Sequence, residues 1–171
     1  MRIKQILSIR TGIKTIKEII NYTQNNDDRK KELYALLYDS DEVVSYQAAW
    51  VMCHFSKEDN KWLYDKQNEM IEELFVCNHT GKRRLILTLL QKQSFSNPVR
   101  LDFYDFCMER LFSENEPTGV QTLCLKIAFQ ISRNIPELFN EFFHTLKLLE
   151  PDFLKPGLRC ALNNVLNSIK R

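Results

Sequence analysis

Glycine is scarce in this chain, four in 171 residues, with five prolines and no tract rich in serine and glycine. That scarcity leaves no flexible linker and no low-complexity segment, so one domain over 1–171 is expected, long enough to bury a sizeable core. Neither GxGxxG nor GxxxxGK followed by Ser or Thr occurs, which removes the phosphate-cradling loops. The five cysteines (Cys53, Cys77, Cys107, Cys124, Cys160) are odd in number, scattered and without a CxxC. Neither a disulfide framework nor a zinc finger is expected from them, and reduced thiols in the cytoplasm fit best. The first ten residues lack the apolar core and small-residue cleavage site of a signal peptide. No apolar run approaches the ~18–20 residues that span a bilayer. With 24 basic and 22 acidic side chains, the net charge is only +2. The expectation is therefore a cytoplasmic protein with no membrane contact, no cofactor and no metal.

What the chain does have is a repeat. Gly81, Gly119 and Gly157 are spaced by 38 residues, and Gly12, Gly81 and Gly119 each follow a threonine, whereas Gly157 follows Pro156. With Val43, Gly81, Gly119 and Gly157 in one column, the next columns read Val44/Lys82/Val120/Leu158 and Gln47/Leu85/Leu123/Ala161. Ala48/Ile86/Cys124/Leu162, Val51/Leu89/Ile127/Val165, Met52/Leu90/Ala128/Leu166 and Phe55/Gln93/Ile131/Ile169 follow. Such i, i+3, i+4, i+7 spacing makes one buried helical face. It predicts second ("B") helices over 42–55, 80–93, 118–132 and 156–169. The segments ahead of them align too, through Leu63/Leu101/Phe139 and Met70/Met108/Leu146. They predict first ("A") helices over 59–76, 98–113 and 135–149, with a shorter one near 28–38 and a B-like helix through Ile13, Ile16 and Ile20. Pro98, Pro117 and Pro136 suit helix starts, and Asp41 and Thr118 suit N-caps. A period near 38 residues without strand-like alternation is an α-solenoid, of about nine helices in four and a half units.

The stretch Asp39-Ser-Asp-Glu-Val-Val-Ser-Tyr-Gln-Ala-Ala-Trp-Val-Met52 resembles the turn and second helix of a HEAT repeat. Asp39 and Asp41 sit in the turn, Val44 is the first buried residue, and Ala48-Ala49 is the small pair. The family's arginine after the valine is Ser45 here, but Arg83 and Arg159 occupy that column in later units. The whole chain is similar to small bacterial HEAT-like proteins of unassigned function with a comparable Ala-Ala-Trp-Val-Met helix. Some of those bear the name adenylosuccinate lyase, which we set aside because the lyases' serine-rich Met-Pro-x-Lys-x-Asn loop is absent. The resemblance implies an all-α, right-handed α–α superhelix of the HEAT/ARM-like solenoid type, with B helices lining a concave face.

Charge is segregated between the layers. Residues 58–79, 101–116 and 135–153, the A segments, carry −4, −4 and −3, whereas residues 80–100, 117–134 and 155–171 carry +5, +2 and +4. A basic inner face would attract phosphates or acidic proteins, although alternating charge also serves to support neighbouring helices and solubility.

Trp50 is the foremost candidate contact. Its column otherwise holds Thr88, Lys126 and Asn164, all polar, and Tyr46 precedes it by one turn. Tyr46, Trp50, Arg84, Thr88 and Lys126 make up the expected partner-binding set, unless Trp50 packs over the first unit instead. Lys82-Arg83-Arg84 opens a helix, where the dipole disfavours cations. Either phosphate contact or Glu72 and Glu73 of the preceding helix would answer that conflict. Cys53-His54 and Cys77-Asn-His79 lack a second pair for a metal, and nothing orients a Cys–His nucleophile. Asp102, Asp105 and Glu109 read as a solvated acidic stripe rather than an acid–base pair.

Two functions follow. The first is a non-catalytic interaction or scaffold module that binds a protein or peptide on its concave face. The alternative is nucleic-acid binding, by analogy with HEAT-like DNA glycosylases that hold duplex DNA against a basic groove. Their catalytic aspartate and paired tryptophans have no matching positions here, and Trp62 falls on an A helix. The expected state is a monomer or a weak self-associate.

Overall fold

The computed structural model describes residues 2–95 and 98–169. Lys170 and Arg171, two of the charges in the last basic segment, lie outside them. Among the described residues there are only helices and turns. The helices are α1 (Ile3–Leu7), α2 (Ile13–Thr23), α3 (Asp27–Ala35), α4 (Glu42–Cys53), α5 (Lys57–Lys61), α6 (Gln67–Val76), α7 (Thr80–Gln91), α8 (Leu101–Phe112), α9 (Thr118–Ser132), α10 (Pro136–Leu146) and α11 (Pro156–Ile169). Three 3-10 turns, Leu36–Tyr38, Tyr64–Lys66 and Pro151–Phe153, extend or join them. The chain gathers into two compact units, Met1–Leu90 and Gln91–Arg171.

The four B helices are α4, α7, α9 and α11, and each starts within one residue of its expected position. Their repeat columns form the core. Val44, Gln47, Ala48, Val51 and Met52 are buried on α4, and Lys82, Leu85, Ile86, Leu89 and Leu90 on α7. In the second unit Val120, Cys124, Ile127, Ala128 and Ile131 are buried on α9, and Leu158, Ala161, Leu162 and Val165 on α11. Burying one such leucine or isoleucine contributes about 2 kcal/mol. Phe142 of α10 packs against Phe129 of α9 with ring centroids 6.1 Å apart.

Helix starts are fixed by side chains that accept otherwise orphaned amides. Asp41 Oδ1 accepts from the amides of Val43 (2.9 Å) and Val44 (3.4 Å). Asn26 accepts from Arg29 and Ser56 from Asp59, both at 3.0 Å. Pro136 occupies the first turn of α10, as expected. Thr118 is the first residue of α9 rather than its cap, because Pro117 takes the extended cap position. Pro98 stands three residues ahead of α8 rather than at its start.

One repeat column turns out to be a polar clamp. Ser45, Arg83, Gln121 and Arg159 are spaced by 38 residues, and each donates from a B helix to carbonyls just before that helix. Ser45 Oγ donates to Leu37 O (2.9 Å), and Arg83 Nη2 to Cys77 O (2.7 Å). Gln121 Nε2 donates to Leu111 O (3.2 Å) and Ser113 O (3.0 Å), and Arg159 Nη2 to Asp152 O and Leu154 O (both 3.2 Å). Serine, glutamine and two arginines thus satisfy carbonyls at the corresponding end of each A segment.

Two elements depart from expectation. The helix expected over 59–76 is split into α5, the 3-10 turn and α6, and the short α1 precedes the expected N-terminal helix. On α2 the buried residues are Ile16, Ile19 and Thr23, whereas Ile13 is half exposed; its inward face is therefore rotated relative to the one expected through Ile13, Ile16 and Ile20.

Candidate functional site

A cleft of about 670 Å³ opens in the first unit, with Tyr46 and Trp50 of α4 along its wall. Both rings are half-buried. They stand on one face of α4 because they are one helical turn apart. The loop before α2 supplies Arg10 and Thr11, α4 adds Glu42, Val43 and Gln47, and the start of α7 adds His79 and Gly81. Val43 leaves 46% of its surface exposed at this mouth.

Gly81 makes the wall possible. A Cβ there would stand 2.9 Å from both Tyr46 Cε2 and His79 Cε1, so any side chain would push one ring away. The Tyr46 and His79 rings lie 5.4 Å apart, tilted at 43°. His79 is held from its other side, where Nδ1 accepts from the Lys82 amide at 3.0 Å. This imidazole therefore caps α7, and its proton sits on Nε2.

Gln47 secures the opposite side. Its Nε2 donates to Leu7 O (2.7 Å) and Ile9 O (2.8 Å), while Oε1 accepts from the Thr11 amide (2.8 Å) and the Thr11 hydroxyl. One buried amide thereby fixes the loop that carries Arg10 and Thr11. Trp50 packs edge-on to His54 at 5.9 Å, and its carbonyl lies 2.9 Å from His54 Nδ1.

The remaining expected contacts are placed differently. Arg84 is exposed on α7, and its carbonyl accepts from the Thr88 hydroxyl at 2.8 Å. Thr88 is half-buried, and neither residue lines the cleft. Lys126 belongs to the second unit, where it is exposed on α9. Tyr46 and Trp50 are therefore the expected pair that the fold brings together. Arg10, Thr11, His79 and Gly81 come from other elements, and the clearest sequence signal for them was Gly81 in its repeat column.

The Lys82-Arg83-Arg84 cluster is largely spent internally. Lys82 is buried and its ammonium meets Glu73 at 2.6 Å, and Arg83 is buried with the carbonyl bond described above. The acidic helix α8 shows no acid–base pair. Asp102 pairs with Arg100 at 2.6 and 2.8 Å, and this contact holds its carboxyl below the usual value, the opposite of a general acid's requirement. Asp105 and Glu109 line a shallow hollow with Glu141, and all three are exposed. Cys77 is buried and its thiol donates to the His79 carbonyl, not to its ring.

A family model for the HEAT repeat domain matches residues 3–169. The chain belongs to the HEAT repeat family. No curated protein and no solved structure matched it. HEAT repeats generally serve as scaffolds for protein interaction and are typically non-catalytic. Among the described residues no helix is long and apolar enough to cross a membrane.

Proposed function

We propose that this HEAT repeat chain is a non-catalytic interaction module that seats a protein or peptide in the Tyr46–Trp50 cleft. The carrying observation is two half-buried aromatic rings on one helix wall, in a cleft whose volume suits a side-chain anchor. Aromatic anchors in such hollows dominate binding energy, while charged neighbours at the rim set orientation. Arg10 and Glu42 provide one charge of each sign. Lys126, in the corresponding column of the second unit, is the contact we propose there. The family match running through both units supports treating 1–171 as one repeat domain.

Nucleic-acid binding has less support. Two of the three charges in the Lys82-Arg83-Arg84 cluster are buried in internal contacts, so the basic layer presents fewer cations than the sequence count.

The test is capture from a lysate by the tagged chain, with and without nuclease, for the wild type and Trp50→Ala. A discrete protein that survives nuclease and is lost with Trp50→Ala is the expected result. Nuclease-sensitive material released steeply between low and moderate salt would instead indicate phosphate binding.

A further inference from the structure

The interruption of the helix expected over 59–76 brings a separate group of side chains together. Trp62, just ahead of the 3-10 turn, and Lys66, its last residue, meet Tyr34 of α3. The Lys66 ammonium lies 4.0 Å from the Trp62 ring centroid and 5.8 Å from that of Tyr34. Those two rings stand 6.0 Å apart at 77°, so one cation faces two nearly perpendicular walls. Tyr38 packs edge-on against Tyr34, 5.5 Å away at 74°.

The hydroxyls are ordered by Glu69. Tyr34 donates to Glu69 Oε2 at 3.0 Å, because an ionised carboxylate only accepts. The 2.7 Å contact between the phenols is therefore a donation from Tyr38 to Tyr34. Donation to a carboxylate enriches the Tyr34 ring in electron density, which strengthens its attraction for a cation. Burial keeps the phenols protonated, with Tyr38 pushed up to about 12.

We propose that Tyr34 and Trp62, with Tyr38 and Glu69 holding the Tyr34 hydroxyl, form an aromatic cage for a quaternary ammonium group, and that Lys66 is the resident cation which such a ligand displaces. Among the described residues the Lys66 ammonium makes ring contacts and no ion pair. A primary ammonium is strongly hydrated, whereas a quaternary one sheds its water readily and suits aromatic walls. No residue of this cage lines the Tyr46–Trp50 cleft, so the two sites stand or fall separately.

The experiment is a proton NMR titration of choline into the full chain, following the trimethyl singlet. Its neutral isostere 3,3-dimethylbutan-1-ol serves as control. Choline is expected to bind with an upfield shift, and the isostere about tenfold more weakly, the difference one desolvated cation–π contact makes. Lys66→Ala is expected to bind choline more tightly than the wild type, and Trp62→Leu to lose binding. The Lys66→Ala gain cannot arise from misfolding, so it decides the matter if Trp62→Leu does not fold. A peptide carrying trimethyl-lysine distinguishes the source: tighter binding than choline indicates a modified protein tail, equal or weaker binding a small molecule. Equal affinity for choline and its isostere, or no choline binding by Lys66→Ala, would overturn the cage.

Discussion

At the scale of single residues, the cleft depends on one amide and one missing Cβ. Replacing Gln47 with leucine would leave Leu7 O, Ile9 O and the Thr11 amide without the partner that now serves all three. Losing buried hydrogen bonds of this kind costs about 1–3 kcal/mol, so Gln47→Leu should lower the unfolding free energy by that amount in a urea titration. Gly81→Ala should behave otherwise. Helix propensity favours alanine by about 1 kcal/mol, while the added Cβ must displace the Tyr46 or His79 ring. Near-neutral stability combined with weakened partner capture is expected, and unchanged capture would show that the ring positions do not matter. Asp39 provides a pH handle. Its hydrogen bond with Lys4, together with the Asp41 amide, holds its carboxyl below the ordinary 3.8. Stability from this contact is present above that value and is lost as pH falls through the lowered one. Asp39→Asn should therefore flatten the acid limb of a stability profile measured by circular dichroism.

At the scale of elements, the clamp column explains how dissimilar repeats keep one geometry. Gln121→Leu, which strips donors from Leu111 O and Ser113 O, should destabilise the chain by about 1–2 kcal/mol. Arg159→Leu should cost less, because Asp152 is exposed and water replaces the donor; comparable losses from both would contradict that distinction. The B helices were legible because a 3.6-residue period marks the buried face and their starts are punctuated, by glycine or proline in three of them and by Asp41 in α4. The break in the second A segment was not, since no glycine or proline marks it. Tertiary contacts position the segment instead: Asp59 is buried against Lys30 at 2.7 Å, and Trp62 packs on Tyr34. The site divides in the same way. Tyr46 and Trp50 stand out against a polar column, whereas Arg10, Thr11 and His79 reach the cleft only through long-range packing. For Lys82, an unfavourable charge at a helix start and its candidate answers, phosphate, Glu72 or Glu73, were visible, but the choice of Glu73 required the fold.

At the scale of the whole molecule, HEAT repeats generally serve as scaffolds for protein interaction, and the cleft is the place we propose for such contact in this chain. The near balance of charge, net +2, disfavours non-specific attraction to polyanions as the main activity. Partner capture should accordingly survive physiological salt, and a steep loss across that range would favour phosphate contacts. Trp50 bears most of the weight, for its ring is either presented to a partner or needed for packing. The deciding measurement is the unfolding free energy of Trp50→Ala by denaturant titration, followed by circular dichroism so that the lost fluorophore does not matter. If the ring serves a partner, stability should fall by no more than about 1 kcal/mol, well short of the ~3–5 kcal/mol for emptying a buried aromatic site. A loss in that larger range would contradict the proposal and make Trp50 part of the core.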